Sequence, residues 1–500
     1  MRFAFLQKDA FIQLGIETLA GVLHDGGHRV EVFIDDAERD LAGAVLASRP
    51  DAIAFSCVTG YDEWVEEVAN RIKAVRPELP VIVGGPHPTY FPDFVRRPGI
   101  DYICQGEGEG AILDFANALQ QRDAAMLLQI PNIWAKRDGE IYQNAPRRFI
   151  ADLDTIPRED WTIYAKYPFL VPYFRNNYPI MTSRGCPLRC SFCFNEKYSQ
   201  LYEDKGEYLR RRTVRSMVDH LRWLVEERGV RRFSFIDDDF IRVKWLREFA
   251  PLYAAEVRVP CTCNVRASTV NDEAAALLKQ MNCYCVRMGI ESGNDEIRRK
   301  VLFKNVSNQR IIDAGRAVKK YKMDLLTNNI FGIPGESVEK ALETYQINKD
   351  CGADFAQSSI LTPYPGLSIN EYIEQMGALD PNHLDPMSGL TRVDKTYFID
   401  SKLKLEGKNQ ILNLQKLMQF FLAFHVPMRV IRWLIRFPEN KLYTFIFRAT
   451  YGYFRLKVNR RELIPLFRLA FRTNSYISMR PRKKELDIGG HAGEGKRLVT

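Results

Sequence analysis

Arg184-Gly185-Cys186-Pro187-Leu188-Arg189-Cys190-Ser191-Phe192-Cys193 places three cysteines in eight residues with the spacing C-x3-C-x2-C. Three thiolates this close can hold three irons of a [4Fe–4S] cluster and leave the fourth iron open to a substrate. An electron carrier would supply a fourth cysteine and close the cluster, and none lies nearby. A zinc site usually pairs C-x2-C with a second pair or with histidines ~12–20 residues on. The next cysteines here, Cys261 and Cys263, are too distant for that. Gly185 permits a tight turn and Pro187 stiffens a loop that must wrap a bulky group. The expected metal ligands are Cys186, Cys190 and Cys193.

This run, with the aromatic Phe192 before its last cysteine, resembles the signature of the radical S-adenosylmethionine (SAM) enzymes. The resemblance implies that the open iron chelates SAM, and that reductive cleavage gives a 5′-deoxyadenosyl radical. It also implies that the backbone at Phe192 faces the adenine.

Upstream, residues 1–150 alternate short apolar runs with helical patterns, the mark of a parallel α/β sheet. Expected strands are Arg2–Leu6, Arg29–Ile34, Ala52–Ser56, Pro80–Val83 and Asp101–Cys104, with helices over Ile12–Leu23 and Asp62–Val75 between them. Small residues gather at the strand ends, at Ser56, Thr59 and Gly60, at Gly84-Gly85-Pro86-His87-Pro88-Thr89, and at Gly106-Glu107-Gly108-Glu109. Ligands of open α/β sheets sit outside the carboxyl ends of the strands. On the residues alone this is a flavodoxin-like cofactor domain or a ligand-free one. Set ahead of the cysteine run, G-G-x-H-x-T and G-E-G-E resemble the front domain of the cobalamin-binding radical SAM enzymes, over about residues 1–375. That resemblance implies cobalamin contacts at Ser56, Thr59, Gly60, Gly84, Gly85, His87, Thr89, Gly106, Glu107 and Gly108. The D-x-H-x-x-G motif of wider cobalamin proteins is absent, which leaves the lower cobalt ligand unassigned. The tRNA methylthiotransferases need three front-domain cysteines, and only Cys57 and Cys104 are present.

Residues 151–375 alternate strands and helices again, as expected for the family's partial (β/α)6 barrel. Acids at Asp237-Asp238-Asp239 follow the apolar run Phe233–Ile236, at what would be the active rim of a barrel; capping of the next helix is the plainer reading. The resemblance implies SAM contacts at Asp237 or Asp238, and at Glu291 and Ser292 in the Gly-Ile-Glu-Ser-Gly run, with Arg266 as a contact to the SAM carboxylate or to the substrate. The pairs Cys261/Cys263 and Cys283/Cys285 each share one strand face and read as small core residues.

The chain has 500 residues, 46% hydrophobic and 27% charged, ten cysteines and a net charge of +9. The charge at Arg2, Lys8 and Asp9 interrupts the start too early for a secretory signal, and no window reaches ~18 apolar residues. A reducing cytoplasm is the expected compartment. Residues 401–484 alone carry about +16, leaving about −7 elsewhere. Residues 376–484 read as a basic, aromatic-rich helical domain, suited to peripheral contact at the inner membrane surface, to a lid over a large apolar substrate, or to ordinary packing. Residues 485–500 read as a disordered end. No RNA-binding motif is visible.

The expected protein is therefore a front Rossmann-like domain, a barrel holding the cluster loop, and a helical C-terminal region. The expected activity is cobalamin-dependent methyl transfer to an unactivated carbon of a small, apolar or polycyclic, lipid-like or tetrapyrrole substrate, with a flavodoxin- or ferredoxin-like electron donor. Oxidation or ring closure of the anaerobic tetrapyrrole cyclase kind uses the same cofactors. A non-catalytic Fe–S scaffold is the reading from another class.

Overall fold

The computed structural model describes residues 1–379 and 401–458. The expected tail at 485–500, and the parts of the expected C-terminal domain at 380–400 and beyond 458, lie outside the described residues.

Five parallel strands, β1 (Arg2–Gln7), β2 (Arg29–Ile34), β3 (Ala52–Ser56), β4 (Val81–Gly84) and β5 (Tyr102–Cys104), form a sheet in the order β2-β1-β3-β4-β5. An antiparallel hairpin, β6 (Ile133–Arg137) and β7 (Glu140–Gln143), extends it at the β5 edge. The hairpin was not expected; its strands carry Lys, Arg, Glu and Gln, so only Ile133 and Ala135 are buried and the apolar signal is weak. Alternation along β1 explains the two layers. Phe3 and Phe5 join the core under the helix Leu14–Asp25, while Ala4 and Leu6 join the core under the helices Leu41–Ala47 and Asp62–Lys73.

The second sheet is wholly parallel. Its strands are β8 (Tyr178–Ile180), β11 (Phe233–Phe235), β12 (Cys261–Arg266), β13 (Cys283–Glu291), β14 (Asp324–Phe331) and β15 (Phe355–Ile360), in the order β15-β14-β13-β12-β11-β8. This is the expected six-stranded partial barrel. A two-stranded ribbon of β9 (Ser183–Arg184) and β10 (Arg210–Arg211) stands at its β8 end and brackets the cysteine loop. The C-x-C pairs are buried as expected, with Cys263 Sγ 3.9 Å from Cys283 Sγ.

The helix Lys408–Ala423 packs on the convex side of β15, where Gln415 donates to the Ser358 carbonyl at 2.9 Å. Among the described residues no helix is long and apolar enough to cross a membrane.

The two sheets share one core. A single buried cluster runs from Phe3 and Ile16 through Ile163, Tyr164, Leu170 and Phe174 to Tyr178 and Phe233. The connector also makes specific bonds to the front domain. Tyr164 donates to Gln7 Oε1 at 2.9 Å, Tyr167 to Glu38 Oε1 at 2.6 Å, and Tyr178 to Glu17 Oε2 at 2.8 Å. Residues 151–177 are thus a wedge rather than a linker. Tyr164→Ala should remove about 3–5 kcal/mol of stability. Because the core is shared, denaturant melts followed with a probe in each domain should move together; independent transitions would refute the shared core.

Candidate active site at the domain interface

The cysteine loop begins where β9 ends. Gly185 has φ +90°, and a Cβ there would run into the Tyr208 carbonyl oxygen. That close approach is what glycine allows. The loop is tied to the barrel by Ser191, whose hydroxyl donates to the Val301 carbonyl at 2.6 Å and whose carbonyl accepts from Ile369 N at 3.0 Å. Cys193 leads into the helix Phe194–Leu201 and accepts a weak bond from Asn195 Nδ2 at 3.6 Å. Burial pushes all three thiols up, Cys190 to about 12, and the thiols of Cys186 and Cys193 add to the effect at Cys190. Thiols in this state need a bound cation to ionise.

The acids after β11 divide their work. Asp237 is fully buried, and its oxygens accept from Thr182 N at 3.0 Å, Thr182 Oγ1 at 2.7 Å and the Ser183 hydroxyl. It faces the strand before the cysteine loop, and these bonds engage its oxygens. Asp238 is exposed, and its charge reaches the Cys186 and Cys193 thiols. Its surroundings push its carboxyl up by desolvation, opposed by a hydrogen bond from Asn195. Asp239 takes the Arg266 guanidinium at 2.8 and 2.6 Å, so Arg266 is already engaged and is not a free cation for a carboxylate ligand.

Glu291 closes β13 in the left-handed region, φ +70°, just after a register shift against β14. Its Oε1 accepts from Lys304 Nζ at 2.9 Å, and Lys304 also donates to the Gly289 carbonyl. The charges of Lys304 and Glu291 both reach Cys190. Ser292 is buried and accepts from Asn294 N at 3.3 Å, a turn bond rather than an open contact. Phe192, partly buried, packs against the apolar cluster that includes Leu302, Ile333 and Leu367.

On the other side stand the ends of β3, β4 and β5. Gly85, φ +97°, would put a Cβ 2.8 Å from the Cys57 carbonyl oxygen, and a Cβ on Gly106 would meet the Tyr202 ring. Thr89 accepts from Gly106 N at 3.0 Å and so braces that turn. His87 Nδ1 lies 3.3 Å from Thr59 Oγ1, and Gly60 N donates to Asp62. A cavity of about 350 Å³ runs between the two sheets. Ser56, Gly84, Gly85, Gly106, Glu107 and Gly108 line it from the front domain; Met181, Arg184, Gly185, Asn195, Tyr198, Tyr208 and Arg210 line it from the barrel. Thr59, Gly60, His87 and Thr89 support its turns without lining it.

The interface is charged at one point. Glu107 accepts from Arg210 Nη2 at 2.8 Å and Nη1 at 3.1 Å, from Arg184 Nη1 at 2.8 Å and from Ile150 N at 3.1 Å, while Arg184 also pairs with Glu109. Tyr90, just past the Gly-Gly turn, stacks on Phe194 at 4.2 Å and 20°.

A B12 binding domain model matches residues 8–116 and a radical SAM superfamily model matches residues 180–347, together more than half of the chain. The chain belongs to the cobalamin-binding radical SAM enzymes. An uncharacterized methyltransferase of Pyrococcus horikoshii is 29% identical over 372 residues, covering 72% of this chain and 78% of that protein. The anaerobic magnesium-protoporphyrin IX monomethyl ester cyclase of Rubrivivax gelatinosus is 26% identical over 374 residues, and the match spans 65% of its length and 72% of this chain. The fold is also that of the radical SAM methyltransferase TsrM from Kitasatospora setae, solved with cobalamin and a [4Fe–4S] cluster, with a TM-score of 0.61 at 19% identity over 80% of this chain and 82% of that one.

The cofactors of this radical SAM enzyme are a [4Fe–4S] cluster, SAM and cobalamin, and the residues fit them. Among the described residues no set of three His, Cys, Asp or Glu is gathered to hold a single metal ion. Cys186, Cys190 and Cys193, three thiols presented by one loop, suit a polynuclear group whose irons meet the sulfurs separately. The glycine-lined cavity suits a large ligand reaching between sheets. The run Cys186–Cys193 carried enough signal to be read in sequence; Lys304, Asn195 and the interface arginines carried none, because their roles come from partners far along the chain.

Burial alone would raise the Glu107 carboxyl, but hydrogen bonds and charge from Arg210 and Arg184 hold it below its usual range. Its stabilisation is therefore complete above about pH 4.3 and is lost as the pH falls through the lowered folded value. Glu107→Gln leaves Arg210, only 3% exposed, without its counter-charge. The variant should lose about 3–5 kcal/mol in a denaturant melt at neutral pH. The gap between it and wild type should narrow on acidification.

Proposed function

We propose that this protein is a cobalamin-dependent radical SAM methyltransferase acting on an unactivated carbon of a small molecule. The observation that carries the reading is the cavity shared by the glycine turns of β3–β5 and by Gly185, the residue before Cys186. When bound, the cluster and SAM supply a hydrogen-abstracting radical, and cobalamin supplies a transferable methyl group.

The chain's own residues position and exclude. Cys186, Cys190 and Cys193 hold the cluster. Asp238, facing the thiols with Asn195 beside it, is the carboxylate for the SAM ammonium in place of Asp237. Glu291, held by Lys304, accepts from the ribose hydroxyls, and the backbone at Phe192 meets the adenine. Ser56, Gly84, Gly85, Gly106 and Gly108 let cobalamin approach the backbone, with Thr59, Gly60, His87 and Thr89 holding the turns. Burial pushes the phenols of Tyr90, Tyr198 and Tyr208 up, so they stay protonated and donate rather than repel. The clamp at Glu107 keeps both halves of the chamber at one separation, which is what a multi-centre reaction requires.

Anaerobic incubation with hydroxocobalamin, SAM, a strong reductant and a candidate substrate should yield 5′-deoxyadenosine and S-adenosylhomocysteine together, and Cys190→Ala should yield neither. 5′-Deoxyadenosine alone from a substrate that is consumed would shift the reading to oxidation or ring closure. Neither product from a cluster-loaded protein would reject both readings, leaving the non-catalytic scaffold.

We also propose peripheral membrane contact. Phe424, Trp433, Leu442 and Phe445 are 59–68% exposed along 424–445, a stretch that also carries Arg429, Arg436 and Lys441. Apolar side chains among basic ones suit an anionic interface. Wild-type protein should sediment with anionic vesicles and not with neutral ones, and Trp433→Ala/Phe445→Ala should reduce the bound fraction several-fold.

A further inference from the structure

The concave face of the barrel sheet is polar where its convex face is apolar. Parallel register sets Asn264 beside Arg287, and Asn328 between Gly289 and Gln357. Val265, Val286 and Ala356, each one residue out of step, and Leu325, three residues before Asn328, are buried against the helices. Strand alternation therefore turns Asn264, Arg287, Asn328 and Gln357 into the lumen, where all four are half-buried.

Arg287 is the cation of this group. Its Nη1 donates to Ser234 Oγ at 2.9 Å, and Ser234 also accepts from Thr262 Oγ1 at 3.3 Å, which fixes the serine in place. No carboxylate among the described residues forms an ion pair with Arg287. Of the rim acids, Asp237 is held by Thr182, Asp239 pairs with Arg266 and Glu291 with Lys304, while Asp238 makes no ion pair with Arg287 among the described residues. The side-chain amides of Asn264, Asn328 and Gln357 make no hydrogen bond among the described residues. Three amides and a guanidinium without a carboxylate partner thus stand side by side on one face of the sheet. They suit a ligand that brings negative charge and several acceptors, and the planar fork of arginine matches a carboxylate or a phosphate.

We propose that Arg287, with Asn264, Asn328 and Gln357, binds the carboxylate or phosphate group of the substrate. This rests on the methyltransferase reading above, and it deepens that reading by naming the substrate class. Arg287 lies four residues before Glu291, about 13 Å of strand. The anionic end is held deep, and the rest of the molecule reaches up toward the cysteine loop. An apolar body is compatible with this site only if it carries an acidic end. The other source of the same chemistry is the carboxylate of SAM itself.

The experiment uses the anaerobically reconstituted full chain as wild type, Arg287→Gln and Arg287→Lys. Melting temperature is followed while sodium phosphate or sodium acetate is titrated against sodium chloride at matched ionic strength, and SAM retention is measured by equilibrium dialysis. The expected result is a saturable rise with phosphate or acetate in wild type, a smaller one in Arg287→Lys and none in Arg287→Gln. SAM retention should stay within about twofold across the three. Without added anion, Arg287→Gln should melt no lower than wild type, because an uncompensated charge has been removed. The proposal is overturned by a wild type that responds to neither anion, by a response that survives in Arg287→Gln, or by an Arg287→Gln protein that melts well below wild type. A tenfold loss of SAM retention in Arg287→Gln overturns it in favour of the SAM carboxylate. An Arg287-dependent anion response in a protein that makes no 5′-deoxyadenosine would reject the proposed reaction and keep the anion site.

Discussion

Glu107 is the point on which the geometry of this protein turns. It sits at the end of β5, in the loop that carries the glycines of the front-domain cavity, and it holds Arg184 and Arg210 on the two strands of the ribbon that brackets the cysteine loop. Arg184 is two residues before Cys186. The buried ion pair therefore sets, over a few covalent bonds, the distance between the place suited to cobalamin and the place suited to the cluster. A buried pair is an inefficient source of stability. Its value here is registration, since two domains with a common core could still slide without it.

The acid run after β11 shows how the same economy of placement works within the barrel. Three successive aspartates cannot all face one way. Asp237 turns in and organises Thr182 and Ser183, Asp239 turns to Arg266, and Asp238 is left exposed beside Asn195. Two of the three carboxylates thus build the wall, and the third is presented by it. The helix-capping alternative does not hold: the helix that follows starts at Val243, with Arg242 at its cap position.

Much of this was legible in the chain. The strand-ending glycines and the short apolar runs of β1 to β5 and of β11 are local signals, and they led to the right front sheet and to the strand–helix alternation of the barrel. The ribbon of β9 and β10 was not legible, because two-residue strands rich in arginine have no apolar period. Nor were the assignments of Arg266, Lys304 and Arg287. An arginine on a strand reads alike whether its partner is Asp239, as for Arg266, or only a serine hydroxyl, as for Arg287. The difference lies in which neighbouring strand happens to carry an acid at that level, and that is a property of register.

Glu291 shows why the rim of the barrel must be strained. A non-glycine residue at φ +70° stores energy that the surrounding structure has to hold. The register of β13 against β14 slips between Gly289 and Glu291, and a Cβ at Gly289 would collide with the Glu291 carboxylate. Both the slip and the missing side chain are needed for Glu291 to leave the alternation of the strand and bend back over the sheet. Lys304, buried and bonded to both Glu291 and the Gly289 carbonyl, then locks that bend. A relaxed strand would have run straight on and carried the carboxylate past Cys190. The strain is what brings its charge close enough to be felt there.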